Sequence, residues 1–126
     1  MVFTKIVKLD QFCKSIMAVD RNVCSVSVID NNGKLLHSVS HRGLMQPNLE
    51  KWNDSHYMEC VFDISMGGKF DELYGPIRYH HSNDENFMMF SFPYNKSVII
   101  VTSTKKISPI AFATKISNKI IDSVEQ

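Results

Sequence analysis

The 126-residue sequence is 44% hydrophobic and 21% charged, and its 14 Lys and Arg against 13 Asp and Glu leave a formal charge of +1. This composition is far from the low-hydrophobicity, high-charge regime of disordered chains, and the length suits one core rather than two, so a single domain over residues 1–126 is expected. Near-neutral charge excludes the global field that draws proteins to nucleic acid, and no apolar run approaches the ~18 residues of a membrane span.

Met1 to Asp10 carries Lys5, Lys8 and Asp10 and holds no apolar core of signal-peptide length, so the expected compartment is the cytoplasm. From Lys5 to Val19, Ile6, Leu9, Phe12, Cys13, Ile16 and Met17 recur at helical spacing, which predicts an amphipathic first helix. After Arg21-Asn22 the period changes to two. Cys24, Val26 and Val28 alternate with Ser25 and Ser27, Asp30-Asn31-Asn32-Gly33 supplies turn chemistry, and Lys34 to Ser40 reads as the partner strand of a hairpin. Gly33 is expected at the positive-φ position, which a residue without Cβ occupies at no steric cost.

Pro47 suits the entrance of a helix, where its missing N–H would be unpaired in any case. A second, long helix is predicted from near Asn48, with Leu49, Trp52, His56, Cys60 and Ile64 as a stripe, flanked by Tyr57, Met58 and Val61 and ended by Gly67-Gly68. Three strands follow: Ile77 to His81, Phe87 to Phe92 and Ser97 to Ser103, separated by the loop Ser82–Asn86 and the turn Pro93–Lys96. Val98-Ile99-Ile100-Val101 is apolar on both faces, which places it at the centre of a sheet covered on both sides. The middle strand sets Met88, Phe90 and Phe92 on one face and Phe87 and Met89 on the other. Ile77 to His81, with Arg78, His80 and His81, fits an edge. Ser108-Pro109 then opens a closing helix whose stripe is Phe112, Ile116, Ile120 and Val124, widened by Ala113 and Ile121.

The expected fold is therefore α+β: a five-stranded antiparallel sheet with helices on both faces, in the order α-β-β-α-β-β-β-α. That order resembles the roadblock/LC7 version of the profilin-like fold. Val26 to Ser38, an aliphatic strand running into an Asp and Gly turn and an apolar return strand, is similar to that family's first hairpin. Val98 to Val101 followed by Ser108 to Ile121 is similar to its last strand and closing helix. The resemblance implies a small adaptor that dimerises through its second helix and an adjacent strand edge and belongs to systems regulating small GTPases or dynein-type motors. It makes Leu49, Trp52, His56 and Ile64 the candidate dimer or partner surface, and bulky side chains such as Trp52 and Phe62 suit an interface core.

Other residues carry weaker signals. Arg78, His80 and His81, with Lys105-Lys106 on a later loop, form a local concentration of positive charge that could contact an anion, although a solvated edge explains it more simply. Adjacent His80 and His81 point to opposite faces of a strand and do not share a metal. Cys13, Cys24 and Cys60 lack C-x-x-C spacing and read as reduced core residues. No G-x-S-x-G, H-E-x-x-H or Walker motif occurs. His56 and Cys60, four apart on the second helix, are a tempting pair but have no orienting third group. No cofactor, metal or catalytic residue is expected, and the chain reads as a non-enzyme with a protein partner, forming a homodimer. The alternative is a PAS- or GAF-like sensor with a small molecule beside Met88, Met89, Phe90 and Phe92.

Overall fold

The structure, a computed structural model, describes residues 2–41, 54–67 and 78–125. Helix α1 is Val2–Met17, β1 is Val23–Asp30, β2 is Leu35–Ser40, α2 is Asp54–Gly67, β3 is His80–Asn83, β4 is Met88–Tyr94, β5 is Ser97–Ser103 and α3 is Pro109–Glu125. The strands form one antiparallel sheet in the order β2-β1-β5-β4-β3, so β5 is central and β2 and β3 are the edges.

Strand alternation divides the sheet into two faces. Val26, Val28, Met88, Phe90, Phe92, Ile99 and Val101 pack with Cys13 and Ile16 of α1 and with Phe112, Ala113, Ile116 and Ile120 of α3. Ile29, Val98 and Ile100, with Met89 beside them, face Tyr57, Cys60, Val61 and Ile64 of α2. Thus β5 sends Ile99 and Val101 to one helical layer and Val98 and Ile100 to the other, as its doubly apolar run requires. Phe90 anchors the larger layer, fully buried, with ring centroids of His81, Phe112 and Phe92 at 4.7, 5.1 and 6.4 Å. Truncating it to Ala would cost about 3–5 kcal/mol, the lost transfer energy plus the cavity left behind.

The β1–β2 turn forms as its residues dictate. Asp30 Oδ1 accepts hydrogen bonds from the N–H groups of Asn32 and Lys34, Gly33 N–H donates to the Asp30 carbonyl, and Gly33 sits at φ +80°. Between Val28 and Ile29 the register slips, with Val28 opposite His37 and Ile29 opposite Leu35, so Leu36 is the extra residue of a bulge.

Two boundaries differ from the sequence expectation. Strand β3 is not Ile77–His81 but begins at His80 and continues through Ser82 and Asn83, which pair with Met89 and Met88. The turn between β3 and β4 closes later, with Asp84 N–H donating to the Phe87 carbonyl, so polarity alone misassigned two paired residues to the loop. Strand β4 likewise runs on through Pro93 and Tyr94, leaving Asn95-Lys96 as a two-residue turn with Asn95 at φ 53°. Pro93 is tolerated because β3 starts at His80, two residues short of the position that would face it, so no neighbour there asks for its missing N–H. On α3, Ile121 does not widen the buried stripe but is 42% exposed.

Candidate functional site

Helix α2 lies over β4 and β5, turning Tyr57, Cys60 and Val61 inward, with Ile64 partly buried on the same side. Phe62, 200° around the helix from Cys60 by helical geometry, stands 56% exposed on the open side. Of the stripe expected as an interface, Ile64 therefore packs toward the sheet, His56 is described only as helical backbone, and Leu49 and Trp52 lie outside the described residues. Phe62 was legible all the same: a wheel anchored on Tyr57, Cys60, Val61 and Ile64 puts it opposite them, whereas the chosen stripe follows Cys60 inward.

The edge strand β3 is hydrogen-bonded to β4. His80 pairs with Ser91 and His81 with Phe90, so the two imidazoles face opposite layers, His81 stacking on the Phe90 ring. Arg78 is exposed just before the strand. Lys105 reaches the same end of the sheet, donating to the Asn83 side chain and the Asp84 carbonyl, so this cation is already engaged in tying the β5–α3 loop to the β3–β4 turn. Arg78, His80 and His81 thus share one edge without converging on a common point.

Buried hydroxyls cover much of the α2-facing sheet surface. Ser25 and Thr102 are hydrogen-bonded to each other across β1 and β5, Ser27 and Ser38 bond at 3.0 Å across β1 and β2, and Ser91 Oγ is buried with no hydrogen-bond partner among the described residues. Cys13, Cys24 and Cys60 are buried and not joined in disulfides. Burial pushes the Cys13 thiol up to about 11, with the Asp10 carboxylate adding to the rise, and burial also raises Cys24. At neutral pH both are protonated and poor nucleophiles. Burial raises the Tyr57 phenol as well, with Cys60 contributing. Among the described residues no group of three His, Cys, Asp or Glu side chains could hold a metal ion, and no helix is long and apolar enough to cross a membrane. Met88, Phe90 and Phe92, expected to line a sensor pocket, are 3%, 0% and 1% exposed and form core instead.

No family model matches the sequence, and no curated protein does. Solved structures do. A Roadblock/LC7 domain from Streptomyces avermitilis aligns with a TM-score of 0.67 at 11% identity, over 92% of this chain and 93% of that one. Myxococcus xanthus MglB aligns at 0.66 and 16% identity, over 94% and 95% of the two chains. The chain has the roadblock/LC7 fold. The wider profilin-like relationship is visible too, since the profilin of a LokiProfilin2/rabbit actin complex aligns at 0.58 and 11% identity, over 94% and 96% of the chains.

Proposed function

We propose that this chain is a cytoplasmic, single-domain, non-enzymatic adaptor that dimerises through the open side of α2 and the edge of β3 and regulates a protein partner, of which a small GTPase is the favoured class. The observation that carries this reading is Phe62, a large aromatic side chain 56% exposed on the side of α2 turned away from the sheet. Aromatic side chains are enriched in interface cores, and the edge strand of a sheet is a place where a second strand can add. The roadblock/LC7 fold supports the same reading, as do structural neighbours described as MglB with a tetrameric arrangement (TM-score 0.71, 9% identity) and as a profilin–actin complex. Neutral overall charge and protonated, buried thiols fit a module that binds protein rather than one that binds nucleic acid or reacts.

Sedimentation velocity at micromolar concentration tests it. The wild-type chain is expected as a dimer and Phe62→Asp as a monomer that keeps its circular dichroism spectrum, because an exposed position tolerates charge in the fold, with a melting temperature lowered only by the loss of association. A wild-type monomer, or a Phe62→Asp dimer as tight as the parent, refutes the proposed interface.

A further inference from the structure

A second feature lies on the opposite side of the sheet from α2. Where α1 crosses the turn ends of the β1–β2 and β4–β5 hairpins, it leaves a cavity of about 370 Å³, within the ~300–1,000 Å³ range of small-molecule sites. Its floor is Val28, itself buried in the core. One wall is the Phe12 ring stacked on Tyr94, with centroids 5.0 Å apart and planes 19° from parallel. The other wall is Leu9 of α1 and Leu36, the bulge residue of β2. A bulge re-aims its side chain, and this one brings a 44% exposed leucine to the cavity mouth.

The rim is polar and its charge is uncompensated. Lys8 projects from α1 at the opening, and among the described residues it has no ion-pair partner. The nearby carboxylate of Asp10 is committed elsewhere, to Lys14 Nζ and His37 Nε2, each at 2.9 Å. Asn95, held at φ 53° by the two-residue turn, and Ser97 complete the rim, and neither side chain has a hydrogen-bond partner among the described residues. Apolar walls under a free ammonium group suit a ligand with a hydrocarbon body and one anionic head. A carboxylate carries a single charge that one ammonium matches, whereas a phosphate dianion would be left half-neutralised here, since Lys8 is the one cation among the described residues lining the cavity and it stands mid-helix, away from a helix N-terminus.

We propose that this cavity binds a small amphipathic monocarboxylate, its hydrocarbon body lying between Phe12, Tyr94 and Leu36 and its carboxylate meeting Lys8 Nζ, with the Asn95 amide as second donor. Such a ligand joins α1 to both hairpins and touches nothing in the α2 and β3 surface, so binding is independent of the adaptor reading above. The test is titration of the full-length chain with octanoate, followed by amide chemical shifts, with octanol as the neutral control. The expected result is saturable shifts confined to residues of α1 near Lys8, to Leu36 and to the Asn95 turn, with octanol weaker. Lys8→Ala is expected to weaken octanoate about threefold, the scale of an exposed ion pair, and Lys8→Glu about tenfold through added repulsion, each without changing octanol binding. Leu36→Asp, a second exposed position, should abolish the shifts while the fold is retained by circular dichroism. Shifts that map elsewhere, octanol binding as tightly as octanoate, or Lys8 variants with unchanged affinity overturn the proposal. So does a peptide with a hydrophobic C-terminal residue that binds there in preference to octanoate, since it would assign the site to a protein tail.

Discussion

Gly33 joins local turn geometry to the packing of α2, and replacing it with alanine separates the two contributions. Its φ of +80° is open to glycine and costs an L-residue about 1–2 kcal/mol. A Cβ at this position would also lie 2.8 Å from Met58 Sδ, 2.9 Å from Met58 Cγ and 3.2 Å from the Met58 backbone nitrogen. The thioether can swing aside because methionine is unbranched, but the backbone of α2 cannot, so the turn and the helix must part by a few tenths of an ångström. Together these effects should cost about 2–3 kcal/mol, within the range of overpacking at a tight contact. Urea denaturation of Gly33→Ala measures the sum. Repeating it in a Met58→Ala background removes the flexible part of the clash, and about 1–2 kcal/mol should remain from φ and the backbone contact. Loss of less than about 0.5 kcal/mol in Gly33→Ala, or no rescue at all by Met58→Ala, refutes the assignment of strain and contact to this residue.

Acid stability should depend on Asp10. Its hydrogen bond to Lys14 and then that to His37 hold the carboxyl below its ordinary 3.8, so the stabilisation is present above that pH and is lost as pH falls below it. Denaturation midpoints of Asp10→Asn should therefore fall less steeply below pH 4 than those of the parent; identical acid limbs count against the bridge. At the alkaline end, Cys13 is raised from 9.0 to about 11, so its protonated thiol favours the fold below pH 9 and this preference is lost as pH rises toward 11. In keeping with this, thiol reagents at pH 8 should modify Cys13 and Cys24 at the rate of global unfolding, and rapid labelling of the native chain would contradict their burial. Ser91→Ala removes a buried hydroxyl with no hydrogen-bond partner among the described residues and should be neutral or stabilising by up to about 1 kcal/mol, whereas Ser25→Ala orphans Thr102 and should cost about 1–2 kcal/mol. Equal effects from the two serine substitutions in thermal melts would show that the hydroxyls are not distinguished by their bonding.

Period and turn chemistry made the frame legible. Val98 to Val101, apolar at four successive positions, required a central strand between two helical layers, and Asp30 with Gly33 required a hairpin. What escaped was set by tertiary pairing. Ser82 and Asn83 look like loop residues, yet they are paired because Met88 and Met89 present an open ladder, and Pro93 stays in a strand because its neighbour on that side is missing. Ile121 satisfies the helical period of α3, yet the buried stripe is filled by Phe112, Ala113, Ile116 and Ile120 and Ile121 is exposed. The cavity under α1 has no local signature at all, since Lys8, Phe12, Leu36 and Tyr94 come from three separate regions, and the bulge that turns Leu36 toward it is not encoded by any glycine.

The two faces of the sheet are chemically unequal, and β1 states the difference most simply. Val26 and Val28 point to α1 and α3, while Ser25 and Ser27 point the other way. Each hydroxyl that replaces a valine forgoes about 1.5–3 kcal/mol of apolar burial and returns only about 1 kcal/mol from its hydrogen bond. The seam under α2 is therefore held less tightly than the aromatic and aliphatic layer under α1 and α3, and elements at the low end of local stability are the ones that can adjust to a partner. Phe62 stands on that more adjustable helix. The proposed carboxylate cavity, by contrast, belongs to the tightly packed layer, where Val28 forms both its floor and part of the core. Both faces meet at β5, whose Ile99 and Ile100 belong to opposite layers, so the central strand joins the more deformable side, where the partner surface is proposed, to the more tightly packed side that holds the proposed cavity.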